Sequence, residues 1–481
     1  MITFLFCLTF LIAGYFIYGR FIEQTVNYKV NKTPAVKLED GIDYVPMPWY
    51  KVFLIQFLNI AGTGPIFGAI SGALFGSVAF LWITFGCVFA GATHDFLSGI
   101  ISMKHDGISV SEIVGIYLGN NMKKVMRVFS VILLVLVGTV FVSSPAGLLS
   151  NMTGISLKIW TAIIIIYYII ATILPIDKVI GKVYPVFGAA LLIMAVGLCG
   201  SMIIGQFNGT THMMELTLSN LHPSGLSVFP FLFTTIACGA LSGFHSTQSP
   251  MMARCVHHSN ETKRVFFGAM IVEGIVALIW CAVTIAFFGD TLSINKCMAE
   301  VGGASGVVNT ISKGLLGTVG SILAVLGVVA CPITSGDTAF RSARLTIADA
   351  LNYKQDKLKN RFVLAIPLFV VCIILTQIDF NVIWRYFAWS NQTLATIFLW
   401  TCSVYLLKNN RVHWITTIPA TFMSYIVVSY ILQAPEGLKI DGTISDIIGI
   451  AIAIGVFVLF MVKSRIIKSE ASVEKGLDIK A

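Results

Sequence analysis

The chain has 481 residues, 56% of them hydrophobic and only 11% charged, with a formal net charge of +9. Soluble domains carry about twice that share of charge, so a soluble enzyme or binding module is excluded and a polytopic membrane protein is indicated. The basic residues sit in short loops between apolar runs, not in a patch interleaved with aromatics, so lipid is the expected neighbour and nucleic acid is not.

In chain order, apolar runs of span length fall at about 2–19, 52–77, 78–103, 126–149, 158–175, 179–205, 227–253, 265–289, 307–331, 361–378, 383–407, 412–433 and 444–463. A span needs about 20 apolar residues, so thirteen transmembrane helices are expected. The first run has no basic residue ahead of it and no small-residue cleavage site after it, and reads as a retained span. All the lysines and arginines except Lys158, Lys296, Lys313, Arg385 and Lys439 fall on one side of the alternation. That bias puts the N-terminus outside and the C-terminus in the cytoplasm.

The second run contains Asn59 to Gly76, NIAGTGPIFGAISGALFG. Gly62, Gly64 and Pro65 within four residues oppose a continuous helix. The seventh, FPFLFTTIACGALSGFHSTQSPMMAR, carries Gly239, Ser242 and Gly243 at its centre and runs in the opposite direction. In hydrocarbon an unwound backbone survives only where it is buried in protein or lines a cavity. Two oppositely directed broken spans are the pointer to an inverted-repeat secondary transporter. The echo Asn59-Ile-Ala-Gly against Thr235-Ile-Ala-Cys-Gly is consistent with duplication and too short to prove it. The expected division is 1–51, a first span and polar loop; 52–205, the first repeat; 206–407, the second repeat; and 408–481, two accessory spans and a charged tail expected to be mobile.

Backbone carbonyls freed near 61–64 and 239–243 suit a cation, and half-helix N-termini suit an anionic group. Asn59, Gly62, Thr63 and Gly64 from the first break, with Gly239, Ser242, Gly243, His245, Ser246, Thr247 and Gln248 from the second, form the expected substrate site. His245 reads equally as a packing histidine bonded to a carbonyl. The ninth run ends in CPITSGDTAFRSAR, where Thr334, Ser335 and Asp337 suit a hard cation or a proton; Asp337 reads equally as the cap of a surface helix over 337–361. Glu273 lies well inside the eighth run, where a charge is costly, and is the expected proton-coupling acid. His94 and Asp95 read as an interfacial pair that anchors the third span, with a proton relay as the alternative. Ser143, Ser144, Asn391 and Gln392 read as interhelical hydrogen-bonding groups as much as substrate contacts. The ten cysteines include no CxxC pair, so neither a disulfide framework nor a zinc site is expected, and no cofactor beyond a coupling cation, H⁺ or Na⁺. No zinc-protease or Gly-x-Ser-x-Gly pattern points to an embedded enzyme.

The runs GPIFGAISGALFG, WITFGCVFAGATHDF, FPFLFTTIACGALSGFHSTQSP and SNQTLA resemble the carbon starvation protein A (CstA) family of bacterial inner-membrane transporters, over most of residues 50–400. The resemblance implies an all-α fold with the five-plus-five inverted repeat of amino acid transporters. It also implies ion-driven uptake of small peptides during carbon starvation, or proton-coupled uptake of pyruvate or another small carboxylate. By that likeness Gly62, Thr63 and Gly64 belong to the first broken helix, 239–245 to its counterpart, and Thr334 and Ser335 fall where sodium-coupled folds place hydroxyl ligands. A channel is the competing class, and would call for a symmetric filter.

Overall fold

A computed structural model describes residues 1–41, 43–171, 176–355 and 357–478, with the side chains of 176–185 and 468–478 left aside. The last residues of the fifth apolar run and the end of the tail lie outside the described residues. Among those described, nine helices are long and apolar enough to cross a membrane, or ten when the bent pair Trp49–Ala61 and Gly64–Phe75 is one span. The remaining apolar runs form Leu157–Ala171, the pair Val228–Thr235 and Gly243–Ala253, and the 29-residue helix Phe380–Lys408. Each of the thirteen expected runs is therefore helical, and they are numbered here as spans one to thirteen.

Both expected breaks are present. The second span bends by 52° between Ala61 and Gly64, and the seventh is unwound from Ile236 to Ser242 between its two helices. The spans that follow them, third and eighth, occupy corresponding places in the two repeats. Each contains a π-helical stretch ahead of its long α-helical part: Trp82–Gly91, after the short helix Val78–Leu81, and Lys263–Phe267. Such a stretch shifts the register of everything after it and is frequent at functional sites.

One expectation is corrected. Residues 337–351 are not a surface helix: they continue the ninth span as Ala330–Leu351, with Asp337, Arg341 and Arg344 buried. That helix packs along the fourth span, and Asp337 lies within it, so it caps nothing. In the ninth span Arg341 and Arg344 are buried, and an apolar-run scan reads such basic residues as the end of a span. The last helix, Gly442–Asp478, runs on through the tail from Lys463.

Candidate functional site

Gly62 turns the first break, with φ +48° and ψ −134°. A β-carbon there would lie 2.2 Å from the Phe141 ring, so only glycine fits both the backbone and the space. Two residues further, a β-carbon on Gly64 would lie 2.1 Å from Cβ of Cys238. The two unwound stretches therefore touch, and the absence of a side chain at Gly64 is what lets them.

Loss of helical pairing leaves carbonyls that must be satisfied in a dry interior. At the first break the Leu58 carbonyl accepts from Ser335 Oγ at 2.7 Å as well as from the Gly62 N–H at 3.4 Å. At the second, Gln392 Nε2 donates to the Phe233 carbonyl at 3.0 Å and Trp82 Nε1 to the Ile236 carbonyl at 3.0 Å. Asn391 Oδ1 accepts from the Phe244 N–H at 2.7 Å and from Ser242 Oγ at 3.1 Å, occupying the N-terminus of Gly243–Ala253. Asn391 and Gln392 thus brace the second break from both sides.

Between the breaks lies a chain of four titratable side chains, all fully buried: His94, Asp95, His245 and Glu273. Asp95 accepts from His94 Nδ1 through Oδ1 and from His245 Nδ1 through Oδ2, each at 2.8 Å. An ionised Asp95 accepting from both rings places a proton on each Nδ1 and leaves each Nε2 free to accept or to ligate. His245 Nε2 faces Glu273 Oε2 at 3.4 Å. The two are within ion-pair reach, yet neither that nitrogen nor either Glu273 oxygen has an aligned hydrogen bond. Asp95 and Glu273 stand 33 and 34 residues after Gly62 and Gly239, and meet through His245.

The expectation that His94 and Asp95 form an interfacial anchor is corrected: the pair is inside the protein, and Asp95 is bonded to His245 in the helix that follows the second break. The signal was present, since a histidine and a carboxylate adjacent within an otherwise uncharged apolar run are costly unless paired. Cys238 was also missed, because no metal-ligand spacing marks it; it comes beside His245 and Glu273 only through the fold.

Of the expected substrate residues, Asn59, Thr63, Gly64, Ser242, Gly243, His245, Ser246 and Gln248 are all fully buried around this centre, with Gly62 and Gly239 in the breaks. Ser246, Thr247 and Gln248 bond within their own helix, to Gly243 O, Phe244 O and Thr247 Oγ1. By contrast the side-chain polar atoms of Gln56, Asn59 and Thr63 find no hydrogen-bond partner among the described residues. Thr334 Oγ1 donates to the Cys331 carbonyl at 2.7 Å, so both hydroxyls of the ninth span are committed to backbone. Two hollows lie apart from the cluster: a polar one of about 540 Å³ lined by Arg20, Glu23, Tyr28 and His258, and an apolar one of about 610 Å³ lined by Trp82, Phe85, Phe229 and Phe422. The residues of the polar centre are themselves fully buried.

The model of the carbon starvation protein CstA family matches residues 1–153, 143–313 and 296–430. A membrane protein of Haemophilus influenzae is 44% identical over 351 residues, covering 62% of this chain and 94% of its own. The peptide transporter CstA of Bacillus subtilis is 26% identical over 527 residues, covering 87% and 88%. The pyruvate/proton symporter BtsT of Escherichia coli is 25% identical over 331 residues, covering 56% and 46%. Among solved structures, a mutant of the Eremococcus coleocola manganese transporter superposes with a TM-score of 0.57 at 11% identity, covering 90% of this chain and 99% of that one. MhsT in complex with L-phenylalanine gives 0.52 at 14%, covering 85% and 97%. At such identity the structural likeness concerns the fold, which is that of inverted-repeat transporters.

Proposed function

The chain belongs to the carbon starvation protein CstA family, and from that premise we propose that this transporter takes up a small solute bearing a carboxylate, driven by protons. A short peptide is the first reading, since relatives aligned over most of the chain are named peptide transporters. Pyruvate is the second, favoured by the relative named a pyruvate/proton symporter. The observation that carries the proposal is the contact of two broken spans over a dry, polar centre. Gln56, Asn59 and Thr63 offer unpaired donors and acceptors at the first break, as a solute-facing wall would. The Asp95–His245–Glu273 chain can hold a proton and pass it between carboxylates without exposing a charge to lipid. This favours H⁺ over Na⁺ as the coupling ion, with Ser335 supporting the first break from the ninth span.

The orientation follows from the basic loops: N-terminus outside and C-terminus in the cytoplasm of a bacterial inner membrane. The test is uptake of a labelled dipeptide and of labelled pyruvate into proteoliposomes under an imposed proton or sodium gradient. Accumulation of one of them under the proton gradient, abolished by a protonophore, is expected. No accumulation of either under any gradient would overturn the proposal, and unitary conductance in planar bilayers would move the protein to the channel class.

A further inference from the structure

We propose that Cys238, His245 and Glu273 form a site for one first-row divalent transition metal ion, zinc being the best chemical match, and that the bound ion pins the seventh and eighth spans together. The proposal goes beyond the transport reading and is independent of which solute is carried.

One sulfur, one imidazole nitrogen and one carboxylate oxygen lie within 4.8 Å of one another. That is a donor set of the kind zinc takes. Two light-atom ligands at bond lengths of about 2.0–2.1 Å, set at the tetrahedral angle, stand about 3.3–3.4 Å apart. His245 Nε2 and Glu273 Oε2 stand 3.4 Å apart, too poorly aligned to bond each other. The spacing is that of two ligands with an ion between them.

The surrounding groups fit as well. Asp95 holds His245 through Nδ1 at 2.8 Å, which fixes the tautomer with Nε2 free, the carboxylate–histidine pairing that orients metal ligands. Glu273 is fully buried, and neither of its oxygens has an aligned hydrogen bond among the described residues. Cys238 sits in the unwound stretch, so its sulfur can close on the ion with a small backbone shift. Its present contacts are weak, to Ser242 Oγ at 3.5 Å and from Asn391 Nδ2 at 3.7 Å.

A thiolate and a carboxylate balance the double charge, which makes the burial tolerable. On binding, the S–H bond of Cys238 and any O–H bond of Glu273 break, metal–sulfur and metal–oxygen bonds form, and the protons leave to solvent. No oxidation state changes.

Titration of the purified full chain with Co²⁺ under anaerobic conditions tests this, because a cobalt–thiolate bond adds a charge-transfer absorption in the near ultraviolet. The expected result is saturation at one ion per chain, loss of the absorption in Cys238→Ser, and affinity reduced at least tenfold in Glu273→Gln. Zn²⁺ is expected to raise the thermal unfolding midpoint of the wild type and to leave that of Cys238→Ser unchanged. No cobalt absorption, or an absorption that survives in Cys238→Ser and so comes from one of the other nine cysteines, would overturn the site. The measurement uses no gradient and no solute, so its failure leaves the transport reading standing, and failed uptake leaves the metal site standing.

Discussion

The two breaks solve one problem in different ways. The first is short, turned by Gly62, with a single hydroxyl from Ser335 on its Leu58 carbonyl and with Asn59, Thr63 and Gln56 left unpaired beside it. The second is seven residues long, braced at both ends by Gln392, Trp82 and Asn391, and flanked by the buried titratable chain. A dry interior penalises every polar atom that has no partner. The difference therefore separates a stretch whose backbone carbonyls are bonded by side chains from one beside which the side chains of Gln56, Asn59 and Thr63 have no partner among the described residues. On the proposed reading the braced break serves the ion and the under-satisfied break the solute.

The largest effect should come from the shared hub of the braced side. Asp95→Asn keeps the shape but can accept from only one of the two rings, and charge-assisted bonds of this kind are worth about 1.5–3 kcal/mol. Gradient-driven accumulation should fall by about tenfold or more, while solute binding, read by the ligand-induced thermal shift, stays. Equal loss of both would erase the division of labour. Next is the contact between the breaks. Gly64→Ala drives a methyl group into Cys238, at a typical overpacking cost of about 1–3 kcal/mol. Adding Cys238→Gly should recover part of the lost thermal stability; no recovery would mean the breaks do not press on each other there.

How much of this was legible in the sequence depends on distance along the chain. The broken spans could be read because Gly62, Gly64, Pro65, Gly239 and Gly243 act on their own backbone. Glu273 could be read because a carboxylate in an apolar run is conspicuous wherever it points. The hub could not: Asp95 and His245 are 150 residues apart, and only the crossing of the third and seventh spans joins them. The burial of Arg341 and Arg344 was hidden for the same reason, since charge in a sequence looks like the edge of a membrane until the packing is known. The bracing by Asn391 was visible as polarity and not as purpose.

Smaller effects follow at the supports. Asn391→Ala removes the acceptor at the N-terminus of Gly243–Ala253, and caps of this kind contribute about 0.5–2 kcal/mol. A drop of that size in unfolding free energy is expected, and a neutral result would show that the second break needs no brace. Smallest is Glu215, whose carboxylate accepts from the Ile2 and Thr3 N–H groups at 2.9 and 3.0 Å and from the N-terminal ammonium. The ammonium, Thr3 and Ile2 together hold its pKa down at about 2. A depressed carboxyl stabilises the fold above its unfolded value of about 4.3 and loses that contribution as pH falls toward 2. Because the pair is solvent-exposed, Glu215→Gln should cost about 0.5 kcal/mol or less at neutral pH and should flatten the stability profile between about pH 4 and 2. An unchanged profile would mean the contact does not persist in solution.

The most direct measurement follows solute and protons together in the same proteoliposomes, using a trapped pH indicator, for the wild type and Glu273→Gln. The account predicts that wild-type uptake acidifies the lumen in step with solute entry. Glu273→Gln should still exchange labelled for unlabelled solute across the membrane, with no proton movement. Acidification in Glu273→Gln that keeps pace with the wild type would contradict it.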